Sequence, residues 1–133
     1  MSYTFLARLI RKIFWNRSIV LNQKEIWLVN LTPTIGAEIT KSRPCVIMNG
    51  DEIGVLPLKL IAPITEYKQR YGSIPWMVKM EPSRSNGLSK TSVVDLFQIR
   101  SVSQLRLIEQ IGTISDIEFL QLLEAAKIVL GIY

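Results

Sequence analysis

Two residues at strand edges could together handle a phosphate. Arg43 follows a flexible loop and precedes Pro44, and Thr65 ends the apolar run Leu60–Ile64. Proline confines the residue before it to extended backbone, so the Arg43 side chain leaves the chain in a fixed direction. A guanidinium is permanently charged and offers forked donors matched to phosphoryl oxygens. A threonine hydroxyl can add a further hydrogen bond to the same oxygens. Such a pair suits RNA cleavage by internal attack of the 2′-OH, where negative charge gathers on those oxygens in the transition state. Taken singly, each is more ordinary as a surface arginine or a strand-end threonine.

Composition removes most other chemistry. The 133 residues include no His and one Cys, Cys45. Paired-imidazole RNA cleavage and His-containing triads are excluded. A structural zinc site, an internal disulfide and a CxxC pair are not expected either. No GxGxxG, Walker loop or HExxH occurs. No metal or other cofactor is expected. An enzyme built from this sequence would use hydroxyls, carboxylates, arginine and backbone groups.

The net charge of +5 invites assignment to nucleic acid, but its distribution argues otherwise. Residues 1–24 hold five of the sixteen basic residues and no acidic one. The eleven basic residues left face eleven acidic ones, so the remainder is neutral. Any RNA site there must come from local geometry and not from bulk charge.

The elements that would position Arg43 and Thr65 are short apolar runs separated by turn signals. Glu25–Leu31 reads as a buried strand ending at Thr32-Pro33, and 32–42 as a loop. Arg43–Met48 resumes as a strand, with Pro44 tolerated near its start, and Asn49-Gly50-Asp51 marks a turn. Leu58–Thr65 and Ile74–Met80 read as further strands. Glu81–Thr91 is polar and turn-rich, and Ser92–Val102 reads as one long strand bent near Phe97. The last segment reads as a helix: Ser115 and Glu118 form a capping box, and Gly131 sits at the stop. Its expected buried stripe is Ile117, Leu120, Leu123, Ala126 and Leu130. Five or six strands and a terminal helix predict a mainly β, β-rich α+β domain, folded as one small curved barrel.

Residues 1–22 differ in character from 23–133, giving two expected regions. Phe5, Leu6, Leu9, Ile10, Ile13 and Phe14 recur at helical spacing opposite Arg8, Arg11 and Lys12. A basic amphipathic helix of this kind can lie on a membrane, although packing on its own domain is the plainer reading. No uncharged run approaches the ~20 residues a membrane span needs. With no secretory signal either, the cytoplasm is the expected compartment.

The strings themselves resemble a known family. EIWLVNLTPTIGAEITKSRPCVI (25–47) is similar to the first two strands and connecting loop of MazF/PemK toxins. LIAPIT (60–65), NGLSKTSVV (86–94), QIRSV (98–102) and the terminal IVLGIY continue the resemblance in order. The resemblance implies an SH3-like barrel, a homodimer, and metal-independent, sequence-specific cleavage of single-stranded RNA within a toxin–antitoxin system. By position it implies Arg43 and Thr65 as the catalytic pair. Arg43 would engage the scissile phosphate and assist proton transfer, and Thr65 would stabilise the developing charge. It implies that Ile35, Gly36 and Glu38 frame the RNA groove and that Gln98 contacts a splayed base. The implied partner is an antitoxin with an acidic, disordered tail, acting with the toxin on DNA as well. Phe97 stands where the family usually has an acidic residue, with Asp95 two positions earlier. Phe97 reads best as core or interface, though it could stack on a base. Residues 1–22 have no counterpart in the family.

Two rival readings come from other classes. One is a gyrase-binding toxin of the same fold, which would lack the loop–Arg–Pro arrangement at Ser42–Pro44. The other is a degenerate or membrane-tethered paralogue held by residues 1–22. Cys45, Trp27 and Trp76 read as core or interface, and Lys41, Lys79, Lys90 and Arg100 as solvated charges.

Overall fold

A computed structural model describes residues 20–53 and 56–133. Among these residues seven strands precede one helix: β1 (Glu25–Asn30), β2 (Ser42–Ile47), β3 (Leu58–Glu66), β4 (Met77–Met80), β5 (Ser92–Asp95), β6 (Arg100–Ser103), β7 (Leu107–Thr113) and α1 (Asp116–Leu130). All pairings are antiparallel. The order is β4-β5-β3-β2-β1-β7, with β6 paired to β3. The small curved barrel expected from the sequence is therefore present, with its C-terminal helix. The expected amphipathic helix over 1–22 lies outside the described residues, apart from 20–22.

β3 organises the curvature. Its first half pairs with β6, from Leu58↔Ser103 to Ile61↔Arg100. Its middle pairs with β2, from Ile47↔Ile61 to Cys45↔Pro63, and its end pairs with β5 from Ile64↔Val94 to Glu66↔Ser92. Pro63, which has no N–H to give a ladder, stands at the crossing from β2 to β5. Beyond that crossing the β2 edge at Arg43 and Pro44 is left without β3.

The central strands are buried on both faces, which is why β1 to β3 read as nearly continuous apolar runs. Alternation sends Ile26, Val46 and Ala62 to one face, where they join Ile64, Val94 and Leu96 and meet Phe119, Leu122 and Ala125 of α1. Trp27, Val29, Cys45, Ile47 and Ile61 face the other way and close over Leu21, Leu31, Val102 and Leu107. Leu21 thus packs inside the domain, and Gln23 Nε2 donates to the Met48 carbonyl at 2.9 Å.

Four sequence expectations need correction. Ser92–Val102 is two strands, not one. The Asp95 carboxylate accepts from Phe97 N–H at 3.0 Å, and this local bond replaces ladder pairing with a 3-10 turn over Leu96–Gln98. The strand expected from Ile74 begins only at Met77, whose N–H closes a turn onto the Ile74 carbonyl. β7 was not expected at all, because its outer position leaves most of its side chains exposed and its apolar residues do not alternate. On α1 the buried face is Phe119, Leu122 and Ala125, whereas Ile117, Leu120 and Leu130 are exposed. That helix is apolar nearly all round, so periodicity could not choose a face, and the large Phe119 side chain does. The capping box of Ser115 and Glu118 is present, and Gly131 ends the helix in the left-handed region at φ 70°.

Candidate active site

The β2 edge exposed beyond Pro63 forms one wall of a cleft of about 270 Å³. Arg43 and Pro44 line it from β2, Thr65 and Glu66 from β3, and Gly87 to Lys90 from the loop between β4 and β5. Arg43 and Thr65, separated by a whole strand and loop in sequence, thus share one cavity.

Each is held in a way that suits an anion. Arg43 Nε donates to the Thr40 carbonyl at 3.2 Å, which fixes the guanidinium plane. Among the described residues no carboxylate pairs with Arg43, so none of them compensates its charge. Thr65 is half-buried in register with Val93 of β5. Glu66 is the single carboxylate in the lining and lies 3.6 Å from Lys90 Nζ. With Arg43 added, the lining carries a net positive charge.

The opposite wall is built by a buried asparagine that sequence reasoning passed over. Asn86 Oδ1 accepts from Ser83 and Leu88 N–H at 2.9 and 3.0 Å, and its Nδ2 donates to the Glu81 carbonyl at 2.8 Å. The next residue, Gly87, has φ +66°, and a Cβ there would stand 2.3 Å from the Ile111 carbonyl oxygen on β7. A Cβ on Gly112 would lie 2.4 Å from the Ser85 carbonyl oxygen. The two glycines let the loop and β7 touch backbone to backbone. The Asn-Gly dipeptide was the signal available for this wall.

A second cleft of about 350 Å³ opens beside the first, lined by Leu31, Ala37–Ile39, Pro63 and Phe97–Arg100. It receives Glu38 and Gln98, but not Ile35 or Gly36, which ride on the exposed tip of the loop. The exposed Glu38 carboxylate closes the loop tip, accepting from Ile35 N–H at 3.0 Å. Gln98 reaches across to the loop at two points: its Oε1 accepts from Ile39 N–H at 2.6 Å, and its Nε2 donates to the Ala37 carbonyl at 3.3 Å. Arg100 donates to the Leu31 carbonyl at 3.2 Å, and Arg106 to the Asn30 and Thr32 carbonyls. Arg100 and Arg106 brace the base of the loop. Phe97 is 63% exposed and leans on Trp76, with ring centroids 5.5 Å apart. Trp27 and Cys45 are core residues, and burial pushes the Cys45 thiol up to about 12 against the lowering effect of the Arg100 charge.

No group of three His, Cys, Asp or Glu side chains converges among the described residues. No helix among them is long and apolar enough to cross a membrane.

Comparison with known proteins agrees with this geometry. The family described as PemK-like, MazF-like toxin of type II toxin-antitoxin system matches residues 22–130. Endoribonuclease MazF from Staphylococcus saprophyticus is 31% identical over 86% of this chain and 94% of its own length. Endoribonuclease MazF9 from Mycobacterium tuberculosis is 29% identical over 86% of this chain and 99% of its own. Among solved structures, MazF from Deinococcus radiodurans superposes with a TM-score of 0.71 at 23% identity, covering 85% of this chain and 98% of that one. An endoribonuclease in complex with its cognate antitoxin from a mycobacterial species superposes at 0.68 with 17% identity, over 85% and 97%. With the match spanning both clefts and every strand, the chain belongs to the PemK-like, MazF-like toxin family of type II toxin–antitoxin systems.

Proposed function

We propose that this chain is the toxin of a type II toxin–antitoxin pair and a sequence-specific, metal-independent endoribonuclease acting on single-stranded RNA. The observation that carries the reading is the meeting of Arg43 and Thr65 in one cleft, with the arginine's charge unpaired among the described residues. Curated relatives that the chain spans almost end to end carry the name endoribonuclease.

In the proposed mechanism the scissile phosphate lies against Arg43, and the neighbouring 2′-oxygen attacks phosphorus. A 2′-O–P bond forms and the P–O5′ bond breaks, leaving a 2′,3′-cyclic phosphate and a 5′-hydroxyl. The 2′-OH loses its proton and the 5′-oxygen gains one, so the step is balanced without an added reagent. Arg43 and the Thr65 hydroxyl are fixed donors placed where the phosphoryl oxygens gain charge. The permanently protonated guanidinium suits electrostatic stabilisation better than proton removal. The loop bearing Ile35, Gly36 and Glu38 rims the RNA path.

A cognate antitoxin with an acidic, disordered tail fits the net positive cleft, where it would compete with RNA. A solved neighbour bound to its cognate antitoxin supports that partner. A homodimer is favoured by the apolar face that α1 leaves uncovered. Residues 1–20 are a separate extension of a cytoplasmic protein, since Leu21 packs in the core and the family match begins at residue 22. Flotation with anionic vesicles tests a tethering role: binding that survives removal of residues 1–19 sinks it.

Cleavage of a long, lightly structured RNA in EDTA tests the main reading. Wild type should give discrete ends, and Arg43→Ala should lower the rate by about 10² to 10³-fold, the usual effect of losing a transition-state donor. A folded Arg43→Ala protein that remains fully toxic would instead favour the gyrase-binding alternative.

A further inference from the structure

The loop between β1 and β2 meets the rest of the protein through few polar bonds, and two of them bear on the catalytic cleft. Gln98, on the 3-10 turn after β5, holds Ala37 and Ile39 near the middle of the loop. One residue further on, the Thr40 carbonyl accepts from Arg43 Nε at 3.2 Å. A continuous set of bonds therefore runs from the turn, through the loop backbone, to the guanidinium. Gln98 is itself fixed from behind. The turn that carries it is capped by Asp95, which is 4% exposed and accepts from Phe97 N–H. Burial raises the Asp95 carboxyl above its ordinary value, against the lowering effect of hydrogen bonds from the Phe97 and Gln98 backbone and the Gln98 side chain.

Resting on the nuclease reading above, we infer that Gln98 is a positioning residue, whose side-chain amide seats the loop so that the Thr40 carbonyl aims Arg43 at the scissile phosphate. This role replaces the base contact implied by resemblance. The oxygen and nitrogen of the amide both point into protein, so a nucleobase would have to break bonds that hold the loop. Loops joined by few bonds open at low free-energy cost, so loss of a two-point clamp shifts the loop's population without unfolding the barrel.

Gln98→Met keeps the length of the side chain and removes both bonds to the loop, together with the amide's bond to Asp95. Gln98→Glu keeps an acceptor for Ile39 and removes the donor to Ala37. The experiment follows hydrogen exchange of the Ile39 amide and the Arg43 Nε–H by NMR, alongside RNA cleavage with mapped ends. In Gln98→Met both hydrogens should exchange about tenfold faster, as expected for losing roughly one net hydrogen bond. The turnover rate at saturating RNA should fall by a similar factor at every site, with the cut motif unchanged. Gln98→Glu should fall between wild type and Gln98→Met. A changed cut motif with wild-type exchange at Ile39 would overturn the inference and restore the base contact. Faster exchange at Ile39 with Arg43 Nε–H unaltered would also overturn it, because the loop would then not govern the arginine. Both exchange readings are independent of activity. If wild-type protein cut no RNA, the nuclease reading would fail while the clamp was still decided.

Discussion

Arg43 and Cys45 lie two residues apart on the same strand and have opposite fates. Arg43 reaches a charged cleft, whereas Cys45 is sealed between β1 and β3 with its Sγ 3.5 Å from the Arg43 carbonyl. A thiol raised to about 12 by burial has almost no thiolate at neutral pH and is a poor nucleophile. Iodoacetamide should leave native protein unmodified at mildly alkaline pH and label it fully in denaturant, read by mass spectrometry. Asp95 makes a second prediction. Its carboxyl is raised in the fold above the ordinary 3.8, so the native state holds its proton more tightly than the unfolded chain does. The Asp95 contribution is therefore fully present below 3.8 and is lost as pH rises through the elevated native value. Asp95→Asn, which keeps an acceptor for Phe97, should remove this falling component. Urea midpoints of the two proteins across the acid-to-neutral range check it, and parallel curves would contradict it.

At the scale of elements, the loop from Glu81 to Thr91 is a wall clamped by Asn86 from within and by Gly112 from beneath. Asn86→Ala would remove three part-buried hydrogen bonds to the loop backbone, at about 0.5–1.5 kcal/mol each. Gly112→Ala would push the wall away from β7. Both should lower the urea midpoint, and cleavage should fall further than the lost stability explains; unchanged cleavage would detach the wall from the site. The central strands and the Ser115 cap were legible in sequence, because burial on both faces and side-chain capping leave local signatures. The burial of Lys59, at 1% exposed, left no such signature in the apolar run around it. The face of α1, the break at Asp95 and the whole of β7 depend on tertiary pairing, and local pattern does not report it. The same division holds for the site. Arg43 before a proline and the Asn86-Gly87 turn carry local signals, whereas the clamp by Gln98 exists only once distant segments meet.

For the molecule as a whole, α1 presents Ile117, Leu120 and Leu130 to solvent beside an apolar groove of about 430 Å³ lined by Met48, Leu60, Phe97 and Leu123. Such patches on small proteins mark interaction surfaces. Leu123→Glu should convert the expected homodimer to monomer in sedimentation velocity while circular dichroism stays native; a persistent dimer would move the interface to another face. β1 is made before every other strand of the described residues, yet its outer partner is β7, with Ile26 opposite Gly112. The same strand backs the loop at Gly87 and contributes Ile111 to the cleft that holds Arg43 and Thr65. A nascent chain therefore leaves the outer edge of β1 open and this cleft without its backing until β7 has been made.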